Sequence, residues 1–181
     1  MADRDVWSHG SGHQLRDLLA SALLTLTLPS ADSRAVYFAS PWMSDFILFD
    51  NRFRQVVGVF PALAERGEIR FSDYLLALGA RRTVRLITNH TATSDAFTSQ
   101  LRIRLTERPE SALAVRYAPS EAHEKGILAP SFYISGSMNI THSGVYVKGE
   151  KITYHAASEL GEDYRLERAY HEFDRQWALL A

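Results

Sequence analysis

The chain reads as an α/β protein, a mixed β-sheet flanked by helices. Three observations predict this. Between residues 113 and 155, short runs rich in strand formers follow one another with only turns between them. Helical periodicity brackets the chain at about 11–28 and 162–180. Strands at 35–39 and 84–88 are separated by a helical stretch in the first half. No internal repeat, linker or low-complexity tract interrupts the 181 residues, so one domain is expected, a helical segment over 1–30 followed by a core over 34–180.

The elements follow in order. Leu15, Leu18, Leu19, Ala22, Leu23 and Leu26 occupy one face of a 3.6-residue period and define the first helix. After the 35–39 strand comes an excursion from Trp42 to Val59, whose apolar side chains serve either a core or a dimer face, with core as the default. Ser72 is the expected N-cap and Gly79 the expected stop of a short helix ahead of 84–88. Thr93 or Ser94 is the expected cap of a helix running to Arg108, before Pro109. Strands are then expected at 113–117, 125–128, 132–135, 144–148 and 151–155, the last two split by Gly149. The closing helix carries a buried stripe of Leu166, Tyr170, Phe173 and Trp177.

Chemistry concentrates in His123-Glu124-Lys125 and Gly136-Ser137-Met138-Asn139. Ala129-Pro130-Ser131 is a turn, so a hairpin would bring His123, Lys125, Ser137 and Asn139 together, each pair on one strand face. An imidazole attacks phosphorus or moves a proton near neutral pH. An ammonium and an amide hold the non-bridging oxygens, and this set requires no metal or other cofactor. Singly, each has a plainer reading: one of seven histidines on the surface, or Gly-Ser in a turn. Together they point to phosphoryl transfer.

These residues resemble the phospholipase D superfamily, whose motif is His-x-Lys, an Asp, then Gly-Ser-x-Asn; here it reads HEKGILAPSFYISGSMNITHSG. The early strand ending in Ser40-Pro41-Trp42, the strand from Val84, and Glu150 after Val145-Tyr146-Val147 also follow the family's order of elements. One position departs: Pro130 stands where the motif has Asp, and it can neither accept a proton nor bind a cation. The resemblance implies a phospholipase D-like fold, with His123 forming a phosphohistidine, Lys125 and Asn139 clamping phosphate and Ser137 assisting. Glu150 would orient and charge-tune the imidazole, a role with independent physical sense because a carboxylate fixes the tautomer. Its plainer reading is a solvated residue paired with Lys148 or Lys151.

One histidine is insufficient, because the leaving oxygen needs a proton while the nucleophile attacks from the opposite side. Neither His142 nor His155 is followed two residues on by Lys, so the chain holds one complete motif. The expected source of the second histidine is a second chain, in a twofold homodimer with a shared cleft.

Composition bounds the rest. With 46% hydrophobic and 23% charged residues the chain has ordinary globular make-up, and zero cysteine excludes disulfides, thiolate metal sites and a cysteine nucleophile. A net charge of −1 gives no global attraction to polyanions, so nucleic-acid contact must be local. Arg81, Arg82 and Arg85 form one cluster, and Arg102, Arg104 and Arg108 another, with Asp95, Glu107 and Glu110 favouring a solvated face for the second. The Leu18–Leu28 run is too short to span a bilayer and follows no basic leader, so a cytoplasmic protein without membrane contact is expected.

A compact single-motif chain suits an extended backbone better than an acyl pocket. The expected activity is therefore cleavage of DNA by a nuclease. The chain is similar to small phospholipase D-like proteins of bacterial anti-phage and DNA-restriction loci, including those tied to modified-guanine DNA, around Ser40-Pro41-Trp42 and Asp50-Asn51-Arg52. That likeness implies antiviral defence and partner proteins of a defence system. The alternatives are a lipid hydrolase and a non-catalytic phosphate- or nucleic-acid-binding subunit of a defence complex.

Overall fold

The computed structural model describes residues 3–7, 13–54, 58, 61–158 and 163–180. Residues 11 and 12 of the first expected helix, 55–57 and 59 of the 42–59 excursion, and 162 and the C-terminal residue lie outside them.

Nine strands and four α-helices follow in the order β1 (Arg4–Trp7), α1 (His13–Thr25), β2 (Val36–Ala39), β3 (Ile47–Asp50), β4 (Glu68–Arg70), α2 (Phe71–Gly79), β5 (Val84–Asn89), α3 (Ala92–Thr106), β6 (Leu113–Ala118), β7 (Gly126–Ala129), β8 (Phe132–Gly136), β9 (Lys151–Ala156) and α4 (Tyr164–Leu179) among the described residues. Seven strands form one sheet in the order β1-β9-β8-β7-β2-β5-β6. The pairs β2–β5 and β5–β6 are parallel and the others antiparallel, which makes the sheet mixed as the sequence predicts. β3 and β4 make a separate two-stranded sheet.

Strand alternation sorts the core into two layers. Val36, Phe38, Leu86 and Ile127 point to the face covered by Leu15, Leu19 and Leu23 of α1, Leu75 and Leu78 of α2, and Phe97 and Leu101 of α3. Tyr37, Ala39, Ile87 and Leu128 point to the other, where α4 sets down Leu166, Tyr170, Phe173 and Trp177, the stripe read from sequence. Sheet and helices thus bury both faces of the parallel strands, and burial of this kind stabilises at roughly 25 cal/mol per Å² of apolar surface.

Several local expectations are corrected. Arg70, not Ser72, is the N-cap of α2. Asp45, distant in sequence, accepts from the Ser72 N–H at 3.0 Å, and Asp73 of the helix's own first turn accepts from the Arg70 N–H at 3.2 Å, so these two carboxylates replace a serine cap. Thr91 caps α3, its hydroxyl accepting from the Ser94 N–H at 3.1 Å, and the helix ends at Thr106 rather than Arg108. The expected strand over 144–148 is a π-helical turn, Ser143–Val147. Gly144 lies so close to the Asn139 carbonyl that an added Cβ would sit 2.2 Å from it, and Val145 is buried by the turn, so tertiary contact overrides the strand propensity of Val-Tyr-Val. In the 42–59 excursion Met43, Phe46, Leu48 and Phe49 are buried, which gives them to the core, while Trp42 and Phe53 remain exposed.

Candidate active site

Strand register places the motif. Ala39 at the end of β2 pairs with Gly126 at the start of β7, and Gly126 pairs with Ser135 near the end of β8. Gly136 then pairs with Ile152, near the start of β9. The carboxyl ends of β2, β5, β6 and β8 therefore share one sheet edge with the starts of β7 and β9. In open sheets of this kind, ligands bind at the carboxyl ends of the parallel strands.

The β7–β8 hairpin forms with its turn at Pro130-Ser131, so His123 and Lys125 arrive at one end of it and Ser137 and Asn139 leave from the same end. The four side chains flank the strands instead of sharing their faces. His123 is exposed on the loop before β7, and its ring makes no hydrogen bond to another described residue. That loop is fixed from beneath: the buried Asn89 amide donates to the Ser120 carbonyl at 3.2 Å and the Ala122 carbonyl at 2.9 Å. Lys125 folds back, its Nζ donating to the His123 carbonyl at 3.0 Å.

Gly136 has φ +150, and a Cβ there would lie 2.2 Å from the Lys151 carbonyl oxygen. The motif glycine is thus dictated by backbone approach. Ser137 follows, locked to β9: its hydroxyl donates to Glu150 Oε2 at 2.5 Å and accepts from the Lys151 N–H at 3.1 Å. Glu150 is buried, so the carboxylate expected to orient His123 has Ser137 among its partners. Asn139 is half-buried, and its Oδ1 lies 3.3 Å from the Ser40 hydroxyl, whose proton goes to the nearer Trp42 carbonyl at 2.8 Å. Ser40 Oγ also accepts from the Ile140 N–H at 3.1 Å, tying β2 to the motif. The Asn139 amide nitrogen carries two N–H donors, the chemistry that suits an anion. Beside it opens a cleft of about 480 Å³ bounded by Trp42, Ser44, Thr93, Asn139, Thr141, His142, Ser143 and Lys148.

Pro130, at the motif's Asp position, lies in the far turn of the hairpin. Five residues of strand at ~3.3 Å each put it roughly 16 Å from Lys125, beyond contact with a phosphate held at the other end.

The arginines divide. Arg82 donates to the Leu26 and Leu28 carbonyls at 3.0 and 3.2 Å, and Arg81 to the Thr27 carbonyl at 3.3 Å, so both close the C-terminal end of α1. They precede β5 and lie at the sheet end opposite His123. Arg85 is packed under α4, bonded to Asp174 at 2.9 Å and set over the Trp177 ring. Arg104 pairs with the buried Asp73 at 2.5 Å. Arg102 differs, since it is exposed and lies 5.4 Å from the Tyr117 ring, close to the carboxyl end of β6. Of the other histidines, His155 is bonded by Asp3 and Asp163 at 2.7 and 2.9 Å near the far end of β9, whereas His142 lines the cleft and stacks on Tyr146. Sequence reasoning missed Asn89 and the role of Ser40; the available signal was a polar residue closing an apolar strand at the sheet's carboxyl edge.

Among the described residues no group of three or more His, Asp or Glu side chains could hold a metal ion, and no helix is long and apolar enough to cross a membrane.

No family model and no curated protein sequence matches the chain. Solved structures do. NucT from Helicobacter pylori superposes with a TM-score of 0.55 at 12% identity, covering 99% of this chain and 98% of that one. Nuc from Salmonella typhimurium, a phospholipase D family member, gives 0.55 at 13% identity over 99% and 96%. TrmBL2, an archaeal chromatin protein with a novel mode of DNA binding, gives 0.52 at 9% identity over 100% of this chain and 54% of that one. The fold is phospholipase D-like.

Proposed function

We propose that this chain is a metal-independent phosphodiesterase, a DNA endonuclease that works through a phosphohistidine as a twofold homodimer. The observation that carries the reading is the convergence of His123, Lys125, Ser137 and Asn139 at one end of one hairpin, on the carboxyl edge of the sheet. An exposed imidazole beside an ammonium and an amide matches what an in-line attack on phosphorus demands. The likeness of fold to Nuc and NucT over nearly their whole length supports the phosphodiesterase class.

In the reaction we propose, a His123 ring nitrogen attacks the scissile phosphorus. An N–P bond forms, the P–O bond breaks, and the departing oxygen takes a proton from the partner's His123. Lys125 and Asn139 hold the non-bridging oxygens throughout. Water, deprotonated by the partner's His123, then displaces the phosphoryl group and regenerates the imidazole. Glu150, through the Ser137 hydroxyl, keeps the Gly-Ser-x-Asn turn in place under this phosphate.

The distance of Pro130 from the reacting end supports a catalytic role over a binding subunit that does no chemistry. The Ser44, Thr93 and Thr141 side chains and Lys148 beside Asn139 give the cleft hydroxyl and ammonium groups that suit a nucleic-acid backbone. DNA binding by TrmBL2, a chain of similar fold, agrees with this substrate. Within the two arginine clusters, Arg102 is the candidate for DNA contact, because Arg81, Arg82, Arg85 and Arg104 are committed to carbonyls, Asp174 and Asp73. For the setting we propose the cytoplasm and defence against foreign DNA, supported by the sequence likeness around Ser40-Pro41-Trp42 and Asp50-Asn51-Arg52.

Incubation with labelled single- and double-stranded DNA in EDTA tests the activity. Cutting that resists the chelator and disappears in His123→Ala is expected. Intact DNA with binding retained would leave only a binding module, and faster hydrolysis of liposomes than of DNA would reassign the substrate. A fully active monomer in light scattering would remove the dimer.

A further inference from the structure

We infer that the cleft beginning at Trp42 is a base-binding subsite for single-stranded DNA, in which the Trp42 ring stacks on the nucleobase flanking the phosphate held at Asn139. The inference rests on the phosphodiesterase reading for the identity of that phosphate.

Trp42 is 41% exposed although its backbone is pinned on both sides. Ser40 Oγ donates to the Trp42 carbonyl at 2.8 Å. The preceding Pro41 carbonyl accepts from Ser94 Oγ at 3.2 Å, and the following Met43 N–H donates to the same Ser94 Oγ at 3.1 Å. Met43 also bridges to Ile140, one residue beyond Asn139. The segment carrying the indole is therefore tied to the segment carrying the phosphate ligand. No other ring or cation stacks on this indole among the described residues. A large aromatic surface held rigidly in solvent beside a polar anion site is the arrangement of a stacking platform, which binds a π-face at little ordering cost.

The rest of the cleft fits a nucleotide. Its roughly 480 Å³ lies within the usual range of small-ligand pockets, its rim offers the Thr93 hydroxyl and the His142 imidazole, and Lys148 adds a cation for the next phosphate. With a net charge of −1 the chain lacks the global field that gathers polyanions, so stacking has to supply a large part of the affinity. A paired base keeps both faces inside the duplex. Access to Trp42 thus requires an unpaired strand.

The test uses the full chain with His123→Ala, which separates binding from cutting, so the outcome stands whether or not the native chain proves to be a nuclease. Fluorescence anisotropy is measured with labelled oligothymidine, an abasic strand of equal length, and a duplex. Adding Trp42→Ala is expected to weaken oligothymidine binding roughly 5- to 140-fold, the ratio equivalent to 1–3 kcal/mol of stacking. Trp42→Phe should recover most of it. The abasic strand offers no base to stack, so its affinity should be the same with and without the Trp42→Ala substitution. Equal losses for abasic and base-bearing strands, equal affinity for duplex and single strand, or no oligonucleotide binding by His123→Ala would each overturn the subsite.

Discussion

Ser137 donates its hydroxyl proton to Glu150 Oε2 across 2.5 Å, joining the motif serine to a buried carboxylate at the head of the next strand. The hydroxyl is exposed to solvent on one side, so this charge-assisted bond is discounted to about 1–2 kcal/mol. Ser137→Ala should therefore lower the melting temperature by roughly 2–8 °C, at 2–4 °C per kcal/mol for a chain of this size. Glu150→Gln keeps an acceptor oxygen and should cost less than Glu150→Ala. Differential scanning calorimetry decides the matter, and an unchanged Ser137→Ala transition would mean that the bond contributes nothing.

Gly136 is the motif residue with the least freedom. At φ +150, with the Lys151 carbonyl 2.2 Å from a would-be Cβ, two backbones must separate before any side chain fits. Gly136→Ala is expected to destabilise by more than about 3 kcal/mol, in the severe tail of point mutants, and to abolish cutting as the Ser137 anchor opens. Gly67→Ala is the control, since its nearest new neighbour is an Arg52 side-chain carbon at 3.8 Å. Similar melting curves for the two variants would contradict the argument.

Asn89 reaches His123, the nucleophile we propose, only through its loop. Its two amide hydrogens hold the Ser120 and Ala122 carbonyls, so Asn89→Ala frees the segment that aims His123. A misplacement of about 1 Å costs on the order of 100-fold in rate; a roughly 10- to 100-fold fall in kcat with little change in KM is expected for a positioning residue. Equal damage to both constants, or none, would reduce Asn89 to a packing role.

The sequence shows why Asn89 escapes notice. His123-x-Lys125 and Gly136-Ser137-x-Asn139 are legible because local spacing and a single hairpin bring them together, and the α4 stripe is legible because one helix face buries it. Asn89 acts on a loop 33 residues away, and Ser40 meets Asn139 across 99 residues, relationships set by the order of strands in the sheet. The same long range explains the misplaced cap at Ser72, where Asp45 supplies the acceptor. Arg81, Arg82 and Arg85 mislead for the converse reason, because a cationic cluster in one dimension becomes helix-end and ion-pair contacts in three.

Tyrosines held neutral by burial set the alkaline limit, Tyr74 and Tyr170 among them, and the buried Tyr37 and half-buried Tyr133 titrate before those two. Burial, aided by the Asp174 carboxylate that accepts from its hydroxyl, raises Tyr37 from 10.0 to about 12, against the opposing pull of Arg85. Burial likewise raises Tyr133 from 10.0 to about 12. Above pH 10 the unfolded chain loses these protons while the folded chain retains them, so stability is complete below pH 10 and declines as pH rises toward about 12. Melting temperatures recorded across that window should fall, and the double variant Tyr37→Phe with Tyr133→Phe should fall less steeply, even though its neutral-pH value is lower. An identical slope in the variant would assign the alkaline transition elsewhere.

Pro130 stands where the motif has a carboxylate, and its place in the hairpin turn makes a sharp forecast. A carboxylate introduced by Pro130→Asp would lie roughly 16 Å from Lys125, counted as five residues of strand at ~3.3 Å each. In the solvated turn its field at the reacting end would be damped, since that separation exceeds the Debye length of about 8 Å at physiological salt. Neither proton transfer nor a hydrogen bond to phosphate operates over such a span. Cutting by Pro130→Asp is thus expected within about twofold of the native rate, because twofold corresponds to only ~0.4 kcal/mol in the barrier. Any loss should appear in thermal stability, where the rigid turn residue is given up. A tenfold or greater gain in rate, measured on the same DNA at the same salt, would show that this position communicates with His123 and that the native proline holds the activity down.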